Sequence, residues 1–133
     1  MKQISIWVVD DDPIYQIIVS KMIKKSELLL AILSFKNGKE AIDEFKKRLE
    51  EKDTLPNIIL LDINMPIMDG WEFMDEITLL KNQINEGIHI YIVSSSIAVE
   101  DKNKAKNYSE IIDYLVKPLN NDDLKLITAP FID

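Results

Sequence analysis

The sequence has no cysteine, which excludes a disulfide framework and any thiolate metal site. It has no apolar run of transmembrane length, and Met1-Lys2-Gln3-Ile4-Ser5 leads directly into a strand pattern with no sign of a secretory signal. It is short of positive charge. Sixteen lysines and arginines face 23 acids, for a net charge of −7 and a pI near 4.7. Direct binding to nucleic acid or to an anionic membrane surface needs cations facing phosphates and is disfavoured. No linker, internal repeat or low-complexity segment interrupts the chain. These absences describe a soluble, cytoplasmic protein. What is present is 133 residues, the size of one domain spanning 1–133, with 47% hydrophobic residues for a core.

The apolar residues fall into alternating patterns. Ile4 to Val9 is a β-branched run that stops at Asp10-Asp11-Asp12-Pro13, where Asp12 suits an N-cap and Pro13 a first helical position. Ile14, Ile17, Ile18, Met22 and Ile23 then recur at helical spacing, with Gln16, Ser20, Lys21 and Lys24 opposite, which predicts the buried and solvent faces of the first helix. Leu28 to Phe35 reads as a second strand. Asn37 caps a helix whose Glu40 reaches back, with Ala41, Ile42, Phe45 and Leu49 on one face. Asn57 to Leu61 is a third strand, bounded by Pro56 and Pro66. Asp69-Gly70 opens a helix with Trp71, Phe73, Met74, Ile77 and Leu80 apolar. Ile88 to Val93 is a fourth strand, Val99 to Lys106 a weak helix, Ile111 to Val116 a fifth strand, and Asn121 to Ile127 a short last helix stopped by Pro130. Five β-α alternations predict an α/β fold: a doubly wound, five-stranded parallel sheet in the flavodoxin-like order 2-1-3-4-5, with helices on both faces.

Polar residues out of keeping with their apolar runs stand at four strand ends. They are Asp10 and Asp11 on the first, Asp62 on the third, Ser94 on the fourth and Lys117 on the fifth. In the order 2-1-3-4-5 these four strands are adjacent, and ligands collect at that carboxyl edge. Converging carboxylates repel and raise one another's proton affinity, and a hard divalent cation with oxygen ligands, Mg²⁺, relieves this. Asp62 is then a carboxylate nucleophile that forms an acyl phosphate. Lys117 offers a point charge to one phosphoryl oxygen, and Ser94 a hydroxyl to another.

Val8-Val9-Asp10-Asp11-Asp12-Pro13, Leu60-Leu61-Asp62-Ile63-Asn64-Met65-Pro66 with Asp69-Gly70, Ile92-Val93-Ser94-Ser95 and Val116-Lys117-Pro118 resemble the receiver domain of bacterial two-component response regulators, over essentially the whole chain. The resemblance implies Asp62 as the phosphorylated aspartate. It implies Asp10 and Asp11 as the Mg²⁺-binding pair, Asp11 being the stronger candidate for direct ligation and Asp10 acting through water. The backbone carbonyl of Asn64 would complete the ligands. Ser94 would be the switch hydroxyl, Tyr114 the aromatic switch, and Lys117-Pro118 a cis bond. Ser94 stands where the family more often has threonine, and the usual glycine before the fifth strand is missing.

Simpler roles exist for each residue. Asp12 is an acidic helix start, Tyr114 by default a half-buried strand tyrosine, and His89, at the far end of its strand, structural or exposed rather than a phosphohistidine carrier. Lys102, Lys104 and Lys106 fit a solvated helix face as well as an output surface. The receiver function implies a histidine kinase or phosphotransfer protein as phosphodonor and an unidentified downstream protein as partner. It admits a phosphorylation-dependent dimer and includes no effector domain. Two alternatives are a haloacid-dehalogenase-like phosphatase with Asp10 as nucleophile, which leaves Asp62 unexplained, and a receiver-like interaction module without phosphorylation, which the intact residue set argues against.

Overall fold

Each apolar run becomes a strand and each helical repeat a helix. The computed structural model describes every residue except Met1, Lys2, Glu27, Leu29, Glu86 and Asp133. The strands are β1 (Ile4–Val9), β2 (Leu30–Phe35), β3 (Ile58–Leu61), β4 (His89–Ser94) and β5 (Ile111–Val116). The helices are α1 (Pro13–Lys25), α2 (Gly38–Glu51), α3 (Gly70–Leu80), α4 (Val99–Ala105) and α5 (Asn121–Thr128). Short 3₁₀ turns follow α3 at Lys81–Gln83 and α5 at Ala129–Phe131. All strand pairs are parallel and the order is β2-β1-β3-β4-β5, as the alternation predicts. β3 is buried along its whole length, which explains its uninterrupted Ile58-Ile59-Leu60-Leu61.

Alternate residues of each central strand feed two cores. Trp7, Val9, Ile59, Leu61, Ile90 and Ile92 pack against α2, α3 and Ala105 of α4. Ile6, Val8, Ile58, Leu60, Tyr91 and Val93 pack against α1 and α5. The period of two in the strands thus sends successive side chains to opposite helical layers. Pairing of β4 with β5 shifts between Ile90 and Tyr91, whose partners are Ile111 and Asp113. The residue skipped, Ile112, is exposed on an edge strand, the usual place for a bulge.

The face expected for α1 is corrected. Ile14, Ile17 and Ile18 are 68%, 56% and 50% exposed; Ile23 is buried and Met22 packs on the core as expected, while Tyr15 and Val19 take the other core positions. Gln16, expected in solvent, turns inward: its Nε2 donates to the carbonyls of Val8 (3.0 Å), Asp10 (3.0 Å) and Phe35 (3.2 Å). α1 is apolar nearly all round, so spacing alone fits more than one face. Carbonyls at the ends of β1 and β2 still have acceptor capacity, and the Gln16 amide that donates to three of them fixes which face turns inward. Other adjustments are small. β2 begins at Leu30 rather than Leu28, while Leu29 lies outside the described residues. Glu40 reaches back, and its Oε1 accepts from the Lys36 N–H at 3.0 Å, one residue before the cap. Asp12 caps α1 and Pro13 opens it, as expected.

Candidate functional site

The sheet ladder continues one residue beyond three strand ends and so fixes the site's main chain. Asp10 N–H donates to Phe35 O (3.0 Å), Asp62 N–H to Val9 O (2.9 Å) and Lys117 N–H to Ser94 O (2.9 Å). Adjacent strands therefore deliver Asp10, Asp62, Ser94 and Lys117 to one edge. A local turn holds the segment after β1: Asp10 Oδ1 accepts from Asp12 N–H at 2.9 Å, and Asp12 Oδ1 from Ile14 N–H at 3.0 Å. The Lys117-Pro118 bond is cis.

Behind Asp62, the chain turns into α3 with no room to spare. Gly70 N–H donates to Ile63 O at 2.8 Å. A Cβ at position 70 would collide with the Asp62 carbonyl oxygen and lie 3.0 Å from the Ile63 Cα. The loop between them carries Ile67 at φ 70°, in the left-handed region that disfavours β-branched residues. Met68 N–H donates across it to Pro66 O at 2.7 Å, and Met68 O accepts from Gly38 N–H at 2.9 Å, anchoring the loop to α2.

Asp10 and Asp62 are only 3% and 7% exposed, whereas Asp11 faces solvent. One carboxylate oxygen from each of the three lies within 4.8 Å of the others. Lys117 Nζ is 2.6 Å from Asp10 Oδ2 and 3.4 Å from Asp62 Oδ2. The other Asp62 oxygen accepts from Ile63 N–H at 2.8 Å. Burial, and then the Asp10 charge, push the Asp62 carboxyl above the ordinary range, with Lys117 opposing. Burial pulls the Lys117 ammonium down, but its hydrogen bond to Asp10 and the Asp62 charge outweigh this, so the net shift is upward and the lysine stays cationic. Three carboxylates thus face one ammonium. An all-oxygen set with two buried members and one open to water fits a hard divalent cation. Asn64 lies exposed two residues past Asp62.

Ser94 is wholly buried, and its Oγ accepts from Ser96 N–H at 3.2 Å. Tyr114 is half-buried, packed against the core on the α2, α3 and α4 side of the sheet, and its hydroxyl donates to Ser96 O at 2.8 Å. Ser96 Oγ in turn donates to Asp101 Oδ2 on α4 at 2.6 Å. Ser94, Tyr114 and α4 therefore meet at one residue that the sequence did not single out. Gln16 and Tyr15 were also missed as parts of the site. A lone glutamine in an apolar helix was the only signal for the first, and the second was hidden by its ordinary helical setting. His89 lies at the start of β4, away from this edge.

The profile of the response regulator receiver domain matches residues 6–129. The crystal structure of a two-component response regulator from Cytophaga hutchinsonii superposes with a TM-score of 0.82 at 28% identity, covering 97% of each chain. The probable methanogenesis regulatory protein FilR2 of Methanothrix harundinacea is 25% identical over 120 residues, 90% of this chain and 76% of that protein. A protein-glutamate methylesterase/protein-glutamine glutaminase of Halalkalibacterium halodurans is 30% identical over 118 residues, 87% of this chain but 31% of its own length. Several curated relatives are thus much longer, and the chain matches only a receiver-sized part of them. Strand order, edge chemistry and full-length similarity agree: the chain belongs to the response regulator receiver domain family of two-component signalling.

Proposed function

We propose that the domain accepts a phosphoryl group on Asp62 and relays the change through Ser94 and Tyr114. One observation carries this: the buried Asp62 carboxylate sits at the carboxyl edge with Asp10 and Asp11 oxygens within 4.8 Å and Lys117 Nζ at 3.4 Å. An Asp62 oxygen attacks phosphorus while the donor's P–N bond breaks, and that electron pair returns to the donor imidazole. Lys117 meets one phosphoryl oxygen with positive charge, and the Ser94 hydroxyl donates to another. Moving Ser94 Oγ toward the phosphoryl group breaks its contact with Ser96 N–H, and Tyr114 holds the same residue. Asp10, Asp11, Asp62 and the Asn64 carbonyl would hold Mg²⁺. The ion would supply charge neutralisation for the phosphoryl group.

The donor is a histidine kinase or phosphotransfer protein. It must approach over Asp62, and exposed Ile14, Ile17 and Ile18 of α1, which follow the Asp10–Asp12 loop, give it an apolar surface there. Output is contact with a downstream protein or a phosphorylation-dependent dimer. No nucleic acid or membrane is engaged directly, given the net charge of −7. Among the described residues no helix is long and apolar enough to cross a membrane; a cytoplasmic setting belongs to this reading and is supported by the receiver family. The 133 residues act as a single receiver domain that catalyses only its own phosphorylation and dephosphorylation. Asp10 is a poorer nucleophile than Asp62, because Lys117 Nζ holds an Asp10 oxygen at 2.6 Å but stands 3.4 Å from Asp62. Incubation with a small acyl-phosphate donor and Mg²⁺ should add one phosphate, and Asp62→Asn should abolish it. Label retained by that variant, or found on Asp10, overturns the assignment.

A further inference from the structure

Lys117 is held from three sides, and one of them is aromatic. The ring of Tyr15, third residue of α1, lies with its centroid 4.3 Å from Lys117 Nζ, opposite no formal charge of its own. Tyr15 is 9% exposed and packs in the core layer that includes Leu119, two residues after Lys117. The ring is thus fixed by both α1 and the segment that presents the lysine. Its hydroxyl faces the Leu119 backbone and makes no well-formed hydrogen bond among the described residues. The face of the ring, not the phenol oxygen, is what Tyr15 offers the site.

We propose that Tyr15 is a positioning residue for phosphoryl transfer: its ring face confines the Lys117 ammonium between Asp10 and Asp62, where it can meet the incoming phosphoryl oxygen. This rests on the phosphoacceptor role of Asp62. A lysine carries its charge on a flexible four-carbon stem, and the Lys117 side chain retains 17% exposure, so solvent is an available alternative. An aromatic face within about 6 Å attracts an ammonium, most strongly where water is excluded. Holding a charge where the transition state needs it avoids reorganisation at the moment of reaction.

The test combines labelling of Asp62 by a small acyl-phosphate donor in Mg²⁺ with NMR of the Lys117 ε-methylene protons, assigned by their loss in Lys117→Arg. In the wild-type protein, ring current should move these protons upfield of ordinary lysines. Tyr15→Phe should keep both the shift and the labelling rate. Tyr15→Leu should lose the shift and label roughly tenfold more slowly, as removal of a desolvated cation–π contact implies. Tyr15→Met replaces it if the leucine variant does not fold. An ordinary Lys117 shift in the wild type overturns the inference without any variant, and so does wild-type labelling in a folded Tyr15→Leu or Tyr15→Met protein. If the wild type itself takes no label on Asp62, the phosphoacceptor role fails, while the ring-current shift still tests the Tyr15–Lys117 geometry separately.

Discussion

The two ends of the sheet bury polar groups in opposite ways. At the amino end, Asn57 bridges three strands with neutral hydrogen bonds. Its Oδ1 accepts from Ser5 N–H, its N–H donates to Ser5 O, and its carbonyl accepts from His89 N–H, all at 2.9 Å. The exception there is His89 Nδ1, buried without a partner among the described residues. At the carboxyl end, Asp10 and Asp62 are buried close together with Lys117 as their cation, and Asp62 is pushed toward its protonated form by burial and by Asp10. Apart from that nitrogen, one end is satisfied by neutral pairing. The other holds repulsion that a cation or a phosphoryl group can use. The same ladder of parallel strands supports both.

Variants can break this contrast. The largest effect is expected for Lys117→Ala, which should slow labelling of Asp62 by about a hundredfold, the scale for losing one transition-state donor. Mg²⁺ binding, followed by titration, should survive, because the ammonium competes for the same carboxylates. A collapse of Mg²⁺ affinity would show that the lysine organises the acids. Asn57→Ala should cost about 1 kcal/mol in denaturant unfolding by leaving the half-buried Ser5 N–H without its side-chain acceptor, with the labelling rate unchanged. A change in labelling with intact stability would erase the division between the two ends. Asp62→Asn should raise Tm modestly, since it removes the repulsion with Asp10 while an amide oxygen can still accept from Ile63 N–H. A lower Tm would mean that the ion pair with Lys117 outweighs the repulsion.

The smallest effect concerns an acid satisfied away from the edge. Tyr108 donates to Asp75 Oδ1 at 2.7 Å, and burial and then Asp75 push its phenol up to about 12. A raised phenol stabilises the fold fully below its ordinary titration near pH 10, and that contribution is lost as pH rises through about 12. The tyrosinate difference spectrum between wild type and Tyr108→Phe should therefore step near 12. A step near 10 would show that neither burial nor Asp75 perturbs the phenol in solution.

The strand order and the four equipped strand ends were legible because each depends on an abrupt change, an apolar run meeting one charged or hydroxyl residue. The cap at Asp12 and the helix start at Asp69-Gly70 were legible for the same reason. The orientation of α1 was not. Ile14, Tyr15, Ile17, Ile18 and Val19 make nearly every direction apolar, and periodicity has no contrast to work on. Lys117 could be placed at the edge from sequence, but its closer approach to Asp10 than to Asp62 depends on side-chain geometry across strands. Ser96 carried no signal, because its part is played largely by a main-chain carbonyl and amide that any residue possesses.

Gly70 gives the domain a mechanical asymmetry. With the first residue of α3 pressed on the Asp62 carbonyl and no gap to absorb displacement, α3 and the end of β3 are a single stiff body. On the opposite flank, Ser94, Tyr114 and α4 are joined through Ser96 by three hydrogen bonds. On the proposed phosphorylation of Asp62, displacement would meet a packed contact on one side and hydrogen bonds on the other. The direction in which a modification is felt is set by where a side chain is missing.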